Sequence, residues 1–330
     1  MTSATARVGA IVEVAGPEIP ALLARVEQRL AQLAAGHGPV LAQHAGATIA
    51  AGGKRLRPLL VLLAAGPAQE ADEDGLLAAA AAVELVHSAT LVHDDVLDAA
   101  PLRRGVPTVW SQGGRELALA TGDLLFSRAF AELAAAGSLA AVRALSRASS
   151  ALAEGELAQR EDAWNAAVSV ARYLHRCELK TARLFEAACE LGALAARRSE
   201  RDVTALGAFG RRIGLAFQLL DDVLDISGPQ SVTGKHRGAD LLDGTVTLPL
   251  ILARERDARL CALELRSITA PDQAEALCEA IAASGALDEA RSRALAIADE
   301  AKAELRALRL ADRQRTALEL VADSVVARRA

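Results

Sequence analysis

The stretch LVHDDVLDAAPLRRG, Leu91 to Gly105, gathers Asp94, Asp95 and Asp98 into five residues and follows them with Arg103 and Arg104. A second stretch, FQLLDDVLD, Phe217 to Asp225, repeats the pattern with Asp221, Asp222 and Asp225. On a helix, positions i and i+4 share a face, so Asp94 points with Asp98 and Asp221 with Asp225. Each cluster ends an apolar helical stretch, just before Ala99–Pro101 or Ser227–Pro229. Carboxylates there meet the negative end of the helix dipole and repel one another, so the arrangement costs stability unless a cation is present. A solvated acidic helix end explains one such cluster. It fits two poorly, because Leu91, Val92, Val96 and Leu97 surround the first, and Phe217, Leu219, Leu220, Val223 and Leu224 the second. Carboxylate oxygens are hard ligands suited to Mg2+, which binds one or two carboxylates together with waters and substrate phosphates. Two such clusters facing one another would form a clamp for a diphosphate carried by Mg2+.

Basic residues extend this reading. Arg103 and Arg104 follow the first cluster, while Lys54, Arg55 and Arg57 lie in AGGKRLRP, where Gly52 and Gly53 permit close backbone approach. Arginine matches phosphate oxygens bidentately and lysine supplies a point charge. Lys180 in ELKTARLF and Lys235 in TGKHRGAD add two more. Each alone would read as a surface charge; together they predict two anion sites, one built on metal and one on basic side chains. His87 stands two turns before Asp94 and reads equally as a hydrogen-bonded core residue or a phosphate donor. His93 reads as structural. Gln218 shares the stripe of Asp221, Asp222 and Asp225 and could reach ligand or orient a carboxylate.

The elements that must position these groups are helices. Helical periodicity runs almost everywhere, with no convincing alternating strand. Amphipathic IPALLARVEQRLAQLAAG comes first, then the nearly all-apolar GLLAAAAAVELVHSATLVHDDVLD, which its composition marks as buried. Further helices are predicted over 115–136, 139–159, 167–196, 201–226 and 248–258, with C-terminal helices from Pro271. The 330 residues are 52% hydrophobic and 24% charged, so the chain should be globular, with a core of Ala, Leu and Val because aromatics make up only 2%. No linker divides it, and the expectation is one all-α domain over 1–330 with a flexible segment over 1–20. No period links the two acidic clusters, which argues against a solenoid. A net charge of -5 and the lack of a basic tract exclude a nucleic-acid surface. Cys177, Cys189, Cys261 and Cys278 show neither CxxC nor metal spacing, which together with the lack of a signal-like start gives a reduced, cytoplasmic protein without a transmembrane segment.

In this order GGKRLRP, LVHDDVLDAAPLRRGVPT, GDLLFSRAF, GELAQ, KTARLF, FQLLDDVLD and GADLLDGTVTLP resemble the motifs of the trans-isoprenyl diphosphate synthases, or polyprenyl synthetases. The resemblance runs from about Leu22 to Arg329. It implies an isoprenoid synthase fold of about a dozen helices around a central apolar cavity, a homodimer, and head-to-tail condensation of an allylic diphosphate with isopentenyl diphosphate. The implied cofactor is Mg2+, three ions per site, held by Asp94, Asp98 and Asp221, with Asp95, Asp222 and Asp225 as further ligands or supporting groups. Isopentenyl diphosphate would meet Lys54, Arg57, His87 and Arg104; the allylic diphosphate would meet Arg103, Lys180, Thr181, Gln218 and Lys235. The catalytic set is then Asp94, Asp98, Asp221, Lys180 and Arg103, with Arg328 and Arg329 resembling a closing basic tail. One departure stands out: Thr245 replaces a lysine common in the family, removing a positive charge from the allylic side.

Ala82, Val86 and Ala89 form a small-residue stripe along the helix of the first cluster. In short-product relatives a bulky aromatic fills the position of Ala89 or Thr90, so these four residues predict a wall open to a long-chain product, with Phe126 and Phe130 as candidate floor residues. The same stripe could equally admit a neighbouring helix. A shorter-chain (geranylgeranyl) diphosphate synthase, a class I terpene cyclase and a non-catalytic prenyl-binding partner subunit are the rivals. A transient membrane contact for product release completes the expectations.

Overall fold

The computed structural model describes residues 3–67, 72–103, 105–228 and 236–327. In chain order the helices are α1 (Ser3–Ala15), α2 (Glu18–Ala34), α3 (Pro39–Ala50), α4 (Leu56–Ala65), α5 (Glu73–Leu97), α6 (Val109–Ala135), α7 (Leu139–Glu161), α8 (Val170–Cys177), α9 (Arg183–Ala195) and α10 (Glu200–Ser227). They continue with α11 (Ala239–Leu242), α12 (Leu248–Arg256), α13 (Ala258–Ala262), α14 (Pro271–Ala283), α15 (Ala286–Arg306) and α16 (Asp312–Val326). A π-helical turn, Glu178–Ala182, joins α8 to α9, and a two-stranded antiparallel hairpin, Leu102–Arg103 with Val106–Pro107, follows α5. The protein is all-α.

Three expectations change in detail. The helix predicted over 167–196 is broken by the π turn at Lys180. The helix predicted from Arg115 is preceded by one more turn, because Gly114 adopts φ 79 and ψ -176 inside α6 and kinks it. The segment 1–20, expected to be flexible, holds α1, whose Ile11 is buried.

The residues group into two compact units, each assembled from three stretches of chain. Unit 1 comprises Met1–Ser149, Leu184–Gly210 and Leu305–Leu320; unit 2 comprises Ser150–Arg183, Arg211–Glu304 and Val321–Ala330. Trp110 belongs to the first and Trp164 to the second.

Unit 1 is built around α5, which packs against α2, α3, α4 and most extensively α6. Ala78 to Ala82 are all buried, so neighbouring backbones can approach a helix without bulky side chains. Asp72 caps its start by accepting from Gly75 N, and Glu73 and Asp74 in the first turn suit the dipole there. By length and composition α5 is the one described helix that could cross a membrane, but it is mostly buried within the fold, as a core helix is. Its far end closes with Ala100 N donating to Asp95 O and Ala99 N to Val96 O, with Ala99 in the left-handed region at φ 47. Thr108 then ties the hairpin loop down, its hydroxyl donating to Ala100 O at 2.7 Å while its Oγ accepts from Ser111 N at the start of α6.

Unit 2 packs α8 on α12 and α14 on α11 and α12 around Tyr173, Ile213, Leu219, Leu248 and Ile281. Asp162, fully buried, takes Arg172 and Arg176, and Arg176 also donates to Val246 O. Trp164 N donates to Gly244 O at 2.8 Å, and Arg266 lies over the indole. These contacts brace the segment 243–247, which follows the second acidic cluster.

Candidate active site

In unit 1 the first acidic cluster is the last turn of α5. The three carboxylates differ sharply. Asp95 is buried and accepts from Arg103 Nε at 2.6 Å, so the hairpin folds back onto the helix that precedes it. Asp94 is half-buried and Asp98 exposed. The helix geometry that buries Asp95 necessarily turns Asp94 and Asp98 to another side, and these two remain the carboxylates suited to a metal. Arg103, expected at a diphosphate, is an ion-pair partner of Asp95 here.

The basic loop before α4 divides its labour. Lys54 is exposed and Arg57 half-buried, with its guanidinium 4.6 Å from the centroid of the Phe185 ring. Arg55 departs from the anion-site reading: it pairs with both oxygens of Glu27, with Glu84 at 2.9 Å and with Ile49 O at 2.8 Å. Its backbone is left-handed, φ 46. Arg55 is therefore a strut from the loop to α2, α3 and α5, and it reaches α5 one turn before His87. His87 is half-buried, its carbonyl accepting from the Thr90 hydroxyl at 2.7 Å.

Ala82, Val86 and Ala89 are completely buried. Their stripe continues to His93, which stacks on Phe126 at 5.8 Å and lies so close to α6 that a Cβ on Gly122 would stand 2.2 Å from its Nε2. The upper end of the stripe is thus a line of α5–α6 contact, and Gly122 is small because His93 occupies the space.

In unit 2 the second cluster shows the same division. Asp221 is exposed, Asp222 buried, and Asp225 half-buried, accepting from Asp240 N at the start of α11. Tyr173 Oη donates to Asp222 Oδ2 at 2.6 Å and Gln218 Nε2 to Asp222 Oδ1 at 2.7 Å. Burial, and then repulsion from Asp240, push the Asp222 carboxyl well above the usual carboxylate range despite those donors. The Thr181 hydroxyl donates to Gln218 Oε1 at 2.6 Å, so Thr181 and Gln218, both expected at the allylic diphosphate, are engaged with each other. Lys180 pairs with Glu156 at 2.5 Å. Gly155 lets α7 come this near: a Cβ there would stand 2.6 Å from Lys180 N. Thr245 donates its backbone N–H to Asp240 O at 2.8 Å. Arg104, Lys235, Arg328 and Arg329 lie outside the described residues.

Sequence reasoning missed Tyr173 and Glu156. Tyr173 is the chain's single tyrosine, a rarity that is a usable signal in so aromatic-poor a protein. Glu156 sits in the motif GELAQ beside a glycine, with no signal that it would meet Lys180. Among the described residues no three His, Cys, Asp or Glu side chains converge as a metal cage. Mg2+ does not require one, since substrate phosphates and water complete its shell. Asp94, Asp98 and Asp221, the more accessible members of their clusters, fit that mode of binding.

Residues 39–283 match the family model described as polyprenyl synthetase. The chain is 42% identical over 231 residues to heptaprenyl diphosphate synthase component 2 of Geobacillus stearothermophilus, covering 70% of this chain and 72% of that one. It is 37% identical to a geranylgeranyl diphosphate synthase of Methanosarcina mazei, covering 84% and 86% respectively. Among solved structures, a polyprenyl synthase from Caulobacter crescentus complexed with calcium and isoprenyl diphosphate superimposes with a TM-score of 0.89 at 38% identity, covering 99% of this chain and 98% of that one.

Proposed function

Because the chain belongs to the polyprenyl synthetase family, we propose that it is a Mg2+-dependent trans-prenyltransferase. It joins isopentenyl diphosphate to an allylic diphosphate, farnesyl or geranylgeranyl, and releases diphosphate. The observation that carries this reading is the matched division of labour in the two acidic helix ends. In each, one aspartate is buried, Asp95 or Asp222, while another, Asp98 or Asp221, is exposed.

Asp94, Asp98 and Asp221 would hold the metal, whose positive charge stabilises the departing diphosphate. Lys180 supplies a further cation to the allylic diphosphate once its pairing with Glu156 yields to the stronger anion. Lys54 and Arg57 bind isopentenyl diphosphate; the Arg57 guanidinium lies over the Phe185 ring, a contact that limits the freedom lost on binding. Holding the double bond near the allylic carbon makes the attack effectively unimolecular. The apolar stretches that flank both clusters exclude water from the carbocation. Thr245 in place of lysine weakens the grip on the allylic diphosphate without altering the reaction.

The product is long-chain, a reading supported by the small side chains of Ala89 and Thr90 and by relatives named octaprenyl and heptaprenyl diphosphate synthases. The chain works in the cytoplasm as a homodimer and touches a membrane only to release product. One relative is named a component 2, which supports a second reading, in which turnover needs a second, different chain.

Incubation of the purified protein with Mg2+, labelled isopentenyl diphosphate and farnesyl diphosphate tests the reaction. An elongated prenyl diphosphate is expected, abolished by EDTA and by Asp94→Ala or Asp221→Ala in folded protein. A hydrocarbon product would favour a cyclase, and full activity in either variant would remove the metal assignment. Light scattering of the active fraction separates a homodimer from the two-component reading.

A further inference from the structure

Four side chains of unit 2 form one unbroken hydrogen-bonded chain: Tyr173 on α8 to Asp222, Gln218 to the other oxygen of Asp222, and Thr181 on the π turn to Gln218. Tyr173 is 0% exposed and Asp222 4%. Both carboxylate oxygens of Asp222 are therefore supplied with protein donors, in a buried setting. Asp221, next in sequence, is exposed. Each oxygen keeps a second lone pair, so it is burial together with a protein donor on each oxygen that sets Asp222 apart from the exposed Asp221 as the poorer metal ligand.

The chain also joins two functional stretches. One end fixes α10 through the residue beside Asp221. The other fixes Thr181, next to Lys180, in a turn whose π geometry already departs from the regular helix. Phenylalanine could fill the volume of Tyr173, so packing alone does not call for the hydroxyl; its partner is Asp222.

We propose that Tyr173 is a positioning residue for the allylic half of the reaction: acting through Asp222, a buried anchor and not a metal ligand, it holds Asp221 and Lys180 in register. This rests on the reading of Lys180 and Asp221 given above as allylic-diphosphate and metal groups. Oriented supporting partners of this kind are worth about 10–100-fold in affinity or activity.

The test uses the full-length protein and has two arms. In steady-state kinetics, Tyr173→Phe should raise KM for the allylic diphosphate about tenfold while KM for isopentenyl diphosphate stays within about twofold. An unchanged allylic KM, or an equal rise in both, would overturn the positioning role. The second arm reads binding without turnover: the rise in Tm on adding Mg2+ with inorganic diphosphate. Asp222→Asn, which keeps the size but only one of the two acceptor oxygens, should loosen the anchor and lose part of that rise, whereas Asp221→Asn should lose it entirely. Equal loss in both variants would make Asp222 a ligand and end the proposal. Should Tyr173→Phe fail to fold, Asp222→Asn carries the comparison in both arms. Wild-type protein that never elongates a prenyl diphosphate refutes the proposed reaction; active wild type with an unaffected Tyr173→Phe refutes only this inference.

Discussion

Arg55 shows how a residue type can mislead at the scale of one side chain. It stands between Lys54 and Arg57 in a run that reads as a phosphate loop, yet its donors go to Glu27, Glu84 and Ile49 O. The Glu84 side chain is 5% exposed, so its charge is tolerable only because Arg55 meets it. Removing one partner of a buried pair strands the other, at about 3 kcal/mol or more. Arg55→Ala should therefore lower stability by about 3 kcal/mol in urea denaturation. Lysine should restore little of it, because a point charge cannot reproduce the forked contact with Glu27 and Glu84. A loss below about 0.5 kcal/mol would place Arg55 among ordinary surface pairs. Sequence could not separate Arg55 from its neighbours, since all three are basic and adjacent. Only the left-handed turn of its backbone directs it inward.

At the scale of the element, the end of α5 carries a cost that its sequence could have avoided. The residue closing the helix occupies the left-handed region, where glycine is the usual choice, but here it is Ala99. A Cβ in that conformation costs about 1 kcal/mol. Ala99→Gly should raise stability by up to about 1 kcal/mol, read as a higher Tm, since the closing bonds from Ala99 N and Ala100 N stay in place. A lower Tm would mean that the entropy lost by glycine on folding outweighs the strain relieved. Periodicity located α2, α5, α7 and α10 well, because their apolar residues recur along whole turns. It could not show the π turn at Lys180, because one extra residue in a helix leaves the hydrophobic pattern on both sides intact. Nor could it show the hairpin after α5, whose strands hold two residues each, too few for alternation to register.

For the molecule as a whole, motif order announced the reaction, and the i, i+4 spacing set Asp94 with Asp98 and Asp221 with Asp225. What became of the aspartates left out of that pairing was not legible there. Burial set Asp95 and Asp222 inside with Arg103 and Tyr173 as partners. Product length belongs to this scale too. Ala89 is completely buried on the stripe that ends at His93. If that stripe also borders the growing prenyl chain, Ala89→Phe should shift the product to shorter prenyl diphosphates, read by chromatography, at a stability cost of about 1–3 kcal/mol from overpacking. The same loss of stability with unchanged products would leave Ala89 a helix-contact residue only. The scarcity of aromatics has a practical side as well. Trp110 and Trp164 fall one to each compact unit, so the protein carries a separate built-in fluorophore for each. Replacing either indole leaves a single emitter, and the two melting curves so obtained would reveal whether the halves come apart in one cooperative event or in succession.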